Sequence, residues 1–300
     1  MDDLVPRRGP WAPARPGRLG SLGVQGHRGA KGLVVENTVP SVLAALDAGV
    51  QGIEIDVRLT ADGEVVVWHD ATLLPHKVVA PHDGLVGARV NLLTYDEISS
   101  VDVGSLTLPG FPRQQAAPGA RISTLPDLLE ASGERGAEAF WTLEVKVNAL
   151  DPGEVAGRER LVGRLVEQVN AAGIRDRCLV HSFDWQVLEL ALELDPELRR
   201  SALAIVGTTW APHSPWTGIT SFEEHDGDLP AAAAAIGAHV IAPQYTYVDE
   251  ALVHRAHDLG LAVLPWTVNA ADDIRAMAAI GVDGIVTDYP DVALAVVGSG

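Results

Sequence analysis

Near the start of the chain a histidine and an arginine stand between glycines, in Gly26-His27-Arg28-Gly29-Ala30. Glycines let the backbone approach a ligand closely. Histidine titrates near neutrality and suits proton transfer. Arginine suits two-point recognition of phosphate. Alone the triplet is weak, since a loop histidine beside a solvated arginine is common. A second group follows in Gly52-Ile53-Glu54-Ile55-Asp56-Val57. Glu54 and Asp56 are two apart, so on a strand they share a face. With Ile53, Ile55 and Val57 packed outward, both carboxylates point inward. Two buried carboxylates repel each other unless a cation lies between them. A hard divalent ion bound through oxygen is the simplest resolution. The competing reading is an acidic strand face in water, which the apolar flanking runs disfavour.

Two more strand ends carry chemistry. Val65-Val66-Val67-Trp68-His69-Asp70 ends an apolar run on a histidine. Asp70 could orient that imidazole or cap the next turn. Phe140-Trp141-Thr142-Leu143-Glu144-Val145-Lys146-Val147 puts Glu144 and Lys146 on one face. A surface ion pair there would be worth little, but Leu143, Val145 and Val147 frame it. Glu54, Asp56 and Glu144 can therefore hold a cation, His27 and His69 can serve as acid and base, and Arg28 and Lys146 add positive charge. That set suits phosphoryl chemistry, where positioning and charge neutralisation lower the barrier. A glycosidase also needs two carboxylates, but not paired histidines with an arginine and a lysine.

These residues need a scaffold that brings strand ends together. Short apolar runs recur at Leu22–Gly26, Gly52–Leu59, Glu64–Trp68, Phe140–Val147, Cys178–Phe183, Ser201–Val206, His239–Pro243, Ala262–Val268 and Gly284–Thr287. Several are continuous rather than alternating, as in parallel strands buried on both faces. Between them lie helices. Leu161, Val162, Leu165, Val166 and Val169 form one apolar stripe over Gly157–Ala172. Asn37-Thr38-Val39-Pro40 carries a cap and a proline for a helix start. Asp184, Asp249 and Asp291 stand at further starts, and Gly49, Gly173, Gly260 and Gly281 at ends. About eight β–α units result, the size of a (β/α)8 barrel. A doubly wound open sheet is the alternative, but no G-x-G-x-x-G follows the first strand. Glu64–Trp68 reads as a hairpin partner within a loop. Residues 71–122 break the rhythm, with five prolines and only a helical scrap near Thr94–Val101. An insertion after a strand end would sit over a barrel's working face. Residues 1–20 read as a flexible tail, and 21–300 as the barrel domain.

Composition narrows the partners. The chain has 300 residues, 22 Lys+Arg against 40 Asp+Glu, and a net charge of −18. So acidic a chain is a poor nucleic-acid binder and must invert its field locally to handle phosphate. No run approaches the ~18 apolar residues of a membrane span. The N-terminus shows no apolar leader core, and the lone Cys178 fits a reducing compartment, so a cytoplasmic location is expected. Nothing in the chain specifies an oligomeric state. Of the other histidines, His76 and His82 match no zinc spacing and read as solvated loop. His181 reads as a core histidine, and His213, His225, His239, His254 and His257 as surface or helix residues.

In order and spacing the motifs resemble the glycerophosphodiester phosphodiesterase family. They are His27-Arg28-Gly29, Glu36-Asn37-Thr38, Glu54-x-Asp56 with Leu59-Thr60-x-Asp62-Gly63, Val67-x-His69-Asp70, Leu143-Glu144-Val145-Lys146, Ser182-Phe183, Trp266-Thr267-Val268-Asn269 and Thr287-Asp288-Tyr289-Pro290. The resemblance spans nearly all of residues 22–292. It implies a TIM barrel with a small subdomain inserted after the second strand unit. It implies hydrolysis of a small-molecule glycerophosphodiester to sn-glycerol 3-phosphate and an alcohol. Glu54, Asp56 and Glu144 would bind one Ca2+ or Mg2+, His27 and His69 would be the acid–base pair, and Arg28 and Lys146 would hold phosphate. Phe183 and Trp266 end later strands and would line the mouth, against glycerol carbons or a choline group, though barrel packing explains them equally well. One segment departs from the family pattern. Ala71-Thr72-Leu73-Leu74-Pro75-His76-Lys77 follows His-Asp where a Leu-x-Arg-Thr-Thr-like stretch is usual, which puts the rim and the leaving alcohol in question. Two rivals stand beside this reading: a lysophospholipase D-like lyase that stops at a cyclic phosphate, and a silent barrel that binds phosphodiesters without turnover.

Overall fold

The computed structural model describes residues 22–298; the tail expected over residues 1–20 lies outside them. The strands are β1 (Gly23–His27), β2 (Gly52–Leu59), β3 (Val65–Val67), β4 (Phe140–Val145), β5 (Cys178–Ser182), β6 (Arg199–Ala204), β7 (Val240–Pro243), β8 (Ala262–Val263) and β9 (Gly284–Thr287). The helices are α1 (Val39–Ala48), α2 (Tyr95–Ser99), α3 (Leu125–Gly136), α4 (Pro152–Val155), α5 (Arg158–Ala171), α6 (Trp185–Leu194), α7 (Leu229–Ala235), α8 (Glu250–Asp258), α9 (Ala271–Ala279) and α10 (Pro290–Val297). The sheet order β8-β7-β6-β5-β4-β2-β1-β9 is parallel throughout, with β3 antiparallel on β2. This is a nearly closed barrel of eight parallel strands with helices between them, a TIM barrel. The run expected at Ala262–Val268 is regular only over β8, because Pro265 has no N–H for the ladder. Backbone bonds still bridge the last gap: Asp283 N–H to Val263 C=O at 3.1 Å, Val286 N–H to Pro265 C=O at 3.0 Å and Val268 N–H to Val286 C=O at 2.9 Å.

The strand pleat sorts the side chains. Val24, Ile53, Ile55, Val57, Trp141, Leu143 and Val145 turn outward into the main core under the helices. Leu161, Val162, Leu165, Val166 and Val169 of α5 join the same core. Inside the barrel, Phe140, Leu179, Leu203, Val240, Ala242, Leu264 and Val286 form a separate apolar plug. The remaining inward positions of β2 and β4 are free to carry polar groups. Local signals place the helices: Thr38 caps α1 through Ser41 N, Asp184 caps α6, Asp249 caps α8, and Gly49 adopts the left-handed conformation after α1. Asp291 lies within the first turn of α10 rather than at its cap.

Residues 71–122 hold isolated bridges, 3-10 turns and α2, which starts with a Thr94/Glu97 capping box. They pack a small core of their own, in which Leu73, Val78, Leu85, Val90, Ile98, Val101, Val103 and Ile122 surround Val66 and Trp68. The insertion is thus anchored on the β3 hairpin at the end of which His69 stands.

The placement of His239 corrects the surface reading. It is half-buried at the foot of β7 and accepts the Arg200 N–H at 3.3 Å. Burial, then Arg200 and Arg199, hold its pKa down to about 4. Unfolded, the ring titrates near 6.5, so between these values only the unfolded chain takes up the proton. The stability contribution is whole above about pH 6.5 and is lost as pH falls towards 4. His239→Gln is therefore expected to lose about 1 kcal/mol less stability than the parent between pH 7 and 5, allowing for solvent screening. Urea midpoints at the two pH values check this; equal losses in both proteins would contradict it.

Candidate active site

The site is assembled at the C-terminal ends of the strands. Strand β1 ends on His27, and the chain turns with Arg28 (φ 51°) and Gly29 (φ 84°) in left-handed conformations. A Cβ on Gly29 would lie 2.6 Å from the Ser41 carbonyl carbon, so only glycine fits there. This turn drives the Arg28 N–H onto Glu54 Oε2 at 2.9 Å. It also carries the Arg28 guanidinium to Glu36 Oε1 at 2.9 Å and to within 3.1 Å of Asp56 Oδ2.

Inward-facing Glu54 and Asp56 on β2 meet Glu144 on β4, because the register pairs Asp56 with Glu144. One carboxylate oxygen from each lies within 4.8 Å of the others, and all three residues are buried. Glu54 Oε1 and Asp56 Oδ1 are buried without a hydrogen bond. Orphaned acceptors of this kind are rare and costly. Burial, then the charges of Asp56 and Glu144, pushes the Glu54 carboxyl well above its ordinary range. Burial raises Glu144 as well, against the pull of Lys146. Burial acts the same way on Asp56, but Arg28, His69 and Lys146 bring it well below. Three hard oxygens with excess negative charge and unused lone pairs match the donor set of a divalent cation.

The two histidines flank this triad. His27 Nδ1 sits 2.6 Å from Asp288 Oδ1, with Nε2 3.9 Å from Glu54 Oε2. Asn269 Nδ2 donates to the other Asp288 oxygen at 2.7 Å. His69 Nδ1 sits 3.0 Å from Asp70 Oδ1. In both rings a carboxylate at Nδ1 selects the Nδ1–H tautomer and leaves Nε2 for chemistry. Burial, then Arg28, lowers the His27 pKa against the pull of Asp288. Burial also takes His69 down to about 4. Burial thus favours the neutral, proton-accepting form in each ring. Lys146 Nζ lies 2.5 Å from Glu144 Oε1 and 3.6 Å from Asp56 Oδ1.

The family's sequence profile, described as the glycerophosphoryl diester phosphodiesterase family, matches residues 27–292. The chain belongs to the glycerophosphoryl diester phosphodiesterase family. A crystal structure from Silicibacter pomeroyi DSS-3 that carries this family's name is 34% identical, covers 93% of each chain and superposes with a TM-score of 0.81. The glycerophosphodiester phosphodiesterase of Caldanaerobacter subterraneus is 28% identical over 89% of this chain and 94% of its own. An Oleispira antarctica phosphodiesterase, solved with its product sn-glycerol-3-phosphate, shares the fold at 22% identity, with a TM-score of 0.72 over 92% of this chain and 96% of its own. Among the described residues, no helix of this phosphodiesterase is long and apolar enough to cross a membrane.

His27, Arg28, Glu54, Asp56, His69, Glu144 and Lys146 gather at the strand ends, and the Phe183 ring centre lies 5.9 Å from Lys146 Nζ. Phe183 and Trp266 meet edge-to-face with ring centroids 5.5 Å apart. Trp216, which no sequence signal marked, adds a second edge-to-face contact to Phe183 at 6.5 Å. A cavity of about 180 Å³ opens between Arg58, Glu144, Lys146, Asn148, Phe183 and Trp216. Supporting residues were missed although they lie in quoted motifs. Asn37, left-handed at φ 56°, donates to Asp56 Oδ2 at 2.7 Å and accepts the Asp56 N–H at 3.2 Å. Glu36 gathers Arg28, Lys31 and Lys77. Asp288 pairs with a histidine 261 positions away, a contact that no local pattern announces. His181 is buried against Ser201 Oγ at 2.8 Å, while His76 and His82 are exposed.

Proposed function

We propose that this phosphodiesterase hydrolyses glycerophosphodiesters to sn-glycerol 3-phosphate and an alcohol, with His27 and His69 as the acid–base pair beside a divalent cation. The observation that carries the reading is the pair of carboxylate-backed histidines flanking three buried carboxylates. The product held by the Oleispira relative supports the substrate class. Glu54, Asp56 and Glu144 would hold one Ca2+ or Mg2+, which when bound supplies charge neutralisation at the phosphate oxygens.

The chain's own residues do the rest. Arg28 and Lys146 approach the triad from two sides and would bind the phosphate oxygens. One imidazole Nε2 takes the proton of the attacking oxygen, either water or the substrate's neighbouring hydroxyl. The other imidazole enters the step as an imidazolium, which the anionic phosphate bound beside it favours, and gives its Nε2 proton to the leaving alcohol oxygen as the P–O bond breaks. Asp288 and Asp70 hold each ring and stabilise the imidazolium that forms, as a carboxylate does behind a catalytic histidine. The aromatic wall of Phe183, Trp216 and Trp266 would face the substrate's carbon surface. Asp288→Asn is expected to lower turnover about 10- to 100-fold, the cost of losing an outer partner of a functional histidine. Unchanged turnover in that variant would remove Asp288 from the mechanism.

The direct test is release of glycerol 3-phosphate from glycerophosphocholine and glycerophosphoethanolamine with Ca2+, with Mg2+ and with chelator. Cation-dependent release from either substrate is expected. No release under any cation would overturn the reading, and a cyclic phosphate as end product would make the protein a lyase.

A further inference from the structure

The segment that departs from the family pattern delivers a charge into the site. Leu73 and Val78 are both buried in the insertion's small core. Between them Leu74-Pro75-His76-Lys77 forms a tight turn, closed by the Lys77 N–H on the Leu74 carbonyl at 2.9 Å. Proline at the second position presets such a turn. Anchored at both ends, the turn aims Lys77 inward while Pro75 and His76 stay exposed. Lys77 Nζ donates to Asp70 Oδ2 at 2.6 Å and to Glu36 Oε1 at 2.9 Å, and stands 5.9 Å from the Trp68 ring centre. The other Asp70 oxygen meets His69 Nδ1, and the same Glu36 oxygen accepts from Arg28 Nη1. A continuous chain therefore runs from His69 through Asp70, Lys77 and Glu36 to Arg28.

We propose that Lys77 is a positioning residue for His69, acting through Asp70. Asp70 has two oxygens, and its side chain can turn. With Lys77 holding Oδ2, the remaining oxygen is directed at His69 Nδ1, which fixes both the ring plane and the Nδ1–H tautomer. Burial would raise the Asp70 carboxyl, but its hydrogen bonds to His69 and Lys77 carry it down to about 2. Without the lysine ammonium, Asp70 and Glu36 would face each other across the gap, and Asp70 would swing to water. The insertion thus contributes to proton transfer at the barrel mouth without touching substrate.

The test uses Lys77→Met and Lys77→Arg in the full chain. The first readout is the 15N spectrum of the His69 ring, assigned with His69→Gln. The parent is expected to show a single Nδ1–H tautomer, Lys77→Met an averaged mixture like that of Asp70→Asn, and Lys77→Arg a spectrum near the parent's. The second readout, which rests on the acid–base reading of His69, is kcat falling about 10- to 100-fold in Lys77→Met with KM within about threefold, and partial rescue in Lys77→Arg. Lys77→Met combined with Asp70→Asn is expected to be little worse than Asp70→Asn alone, since both act through one contact. A His69 spectrum unchanged in Lys77→Met overturns the proposal. An inactive parent overturns the proposed function instead and leaves the ring readout to decide Lys77. Should Lys77→Met fail to fold, Lys77→Gln carries the same comparison.

Discussion

His27→Ala and His69→Ala are each expected to lower turnover of glycerophosphocholine by at least ~10², the usual worth of a positioned acid or base. Both rings are backed at Nδ1 by a carboxylate, at 2.6 Å for His27 and 3.0 Å for His69. His27 ends β1, which is paired with β2 and β9, and the His69 carbonyl accepts from Arg58 Nε at 2.8 Å, so alanine removes the imidazole and leaves the frame. Thermal unfolding and cation binding should therefore stay close to those of the parent. Under the proposed function the two rings serve one proton-transfer cycle, so the double variant should be far less damaged than the product of the single losses. Parent-like turnover in either single variant would exclude that histidine from the chemistry.

The second large effect concerns Glu54. In the folded protein its carboxyl is buried beside Asp56 and Glu144, and one oxygen has no hydrogen bond. Glu54→Gln keeps the shape and removes one of three crowded negative charges. Without added cation, this change is expected to raise the melting temperature at pH 8, since like charges no longer have to be held together. With cation the order reverses. The parent should gain about 2.7 kcal/mol at a hundredfold excess over Kd, and Glu54→Gln little of it. Its turnover should fall by at least ~10², the scale of losing one preorganised charge contact to the reacting group. Calorimetry with and without Ca2+ or Mg2+ gives both signs. If the variant melts below the parent without cation, or keeps its cation-induced rise, Glu54 does not share the site with a cation.

How much of this was legible before the fold was seen depends on the range of the interaction. The strand pleat is a local rule, so Ile53, Ile55 and Val57 on one side placed Glu54 and Asp56 on the other, and Leu143 with Val145 did the same for Glu144. Apolar periodicity showed α5, and capping residues showed the starts of α1, α6 and α8. His27 and His69 stood out because each ends an apolar run. The short β8 was also a local matter: Pro265 interrupts the ladder where hydropathy continued.

The amino-acid sequence by itself determined the barrel's alternation, the inward-facing carboxylates and the two histidines, because these follow from contacts within a strand or a helical turn. Asp70 stands next to His69 in the chain and was within reach of a local reading, but only the tertiary structure set Asp288 behind His27. Asp288 reaches His27 because β9 lies beside β1, and Lys77 reaches Asp70 because the insertion packs its own core against the β3 hairpin. It also moved His239 from the surface to the foot of a strand and brought Trp216 to Phe183. Such pairings join residues from distant segments, and nothing in the spacing of a chain encodes them until hydrophobic burial has brought those segments together.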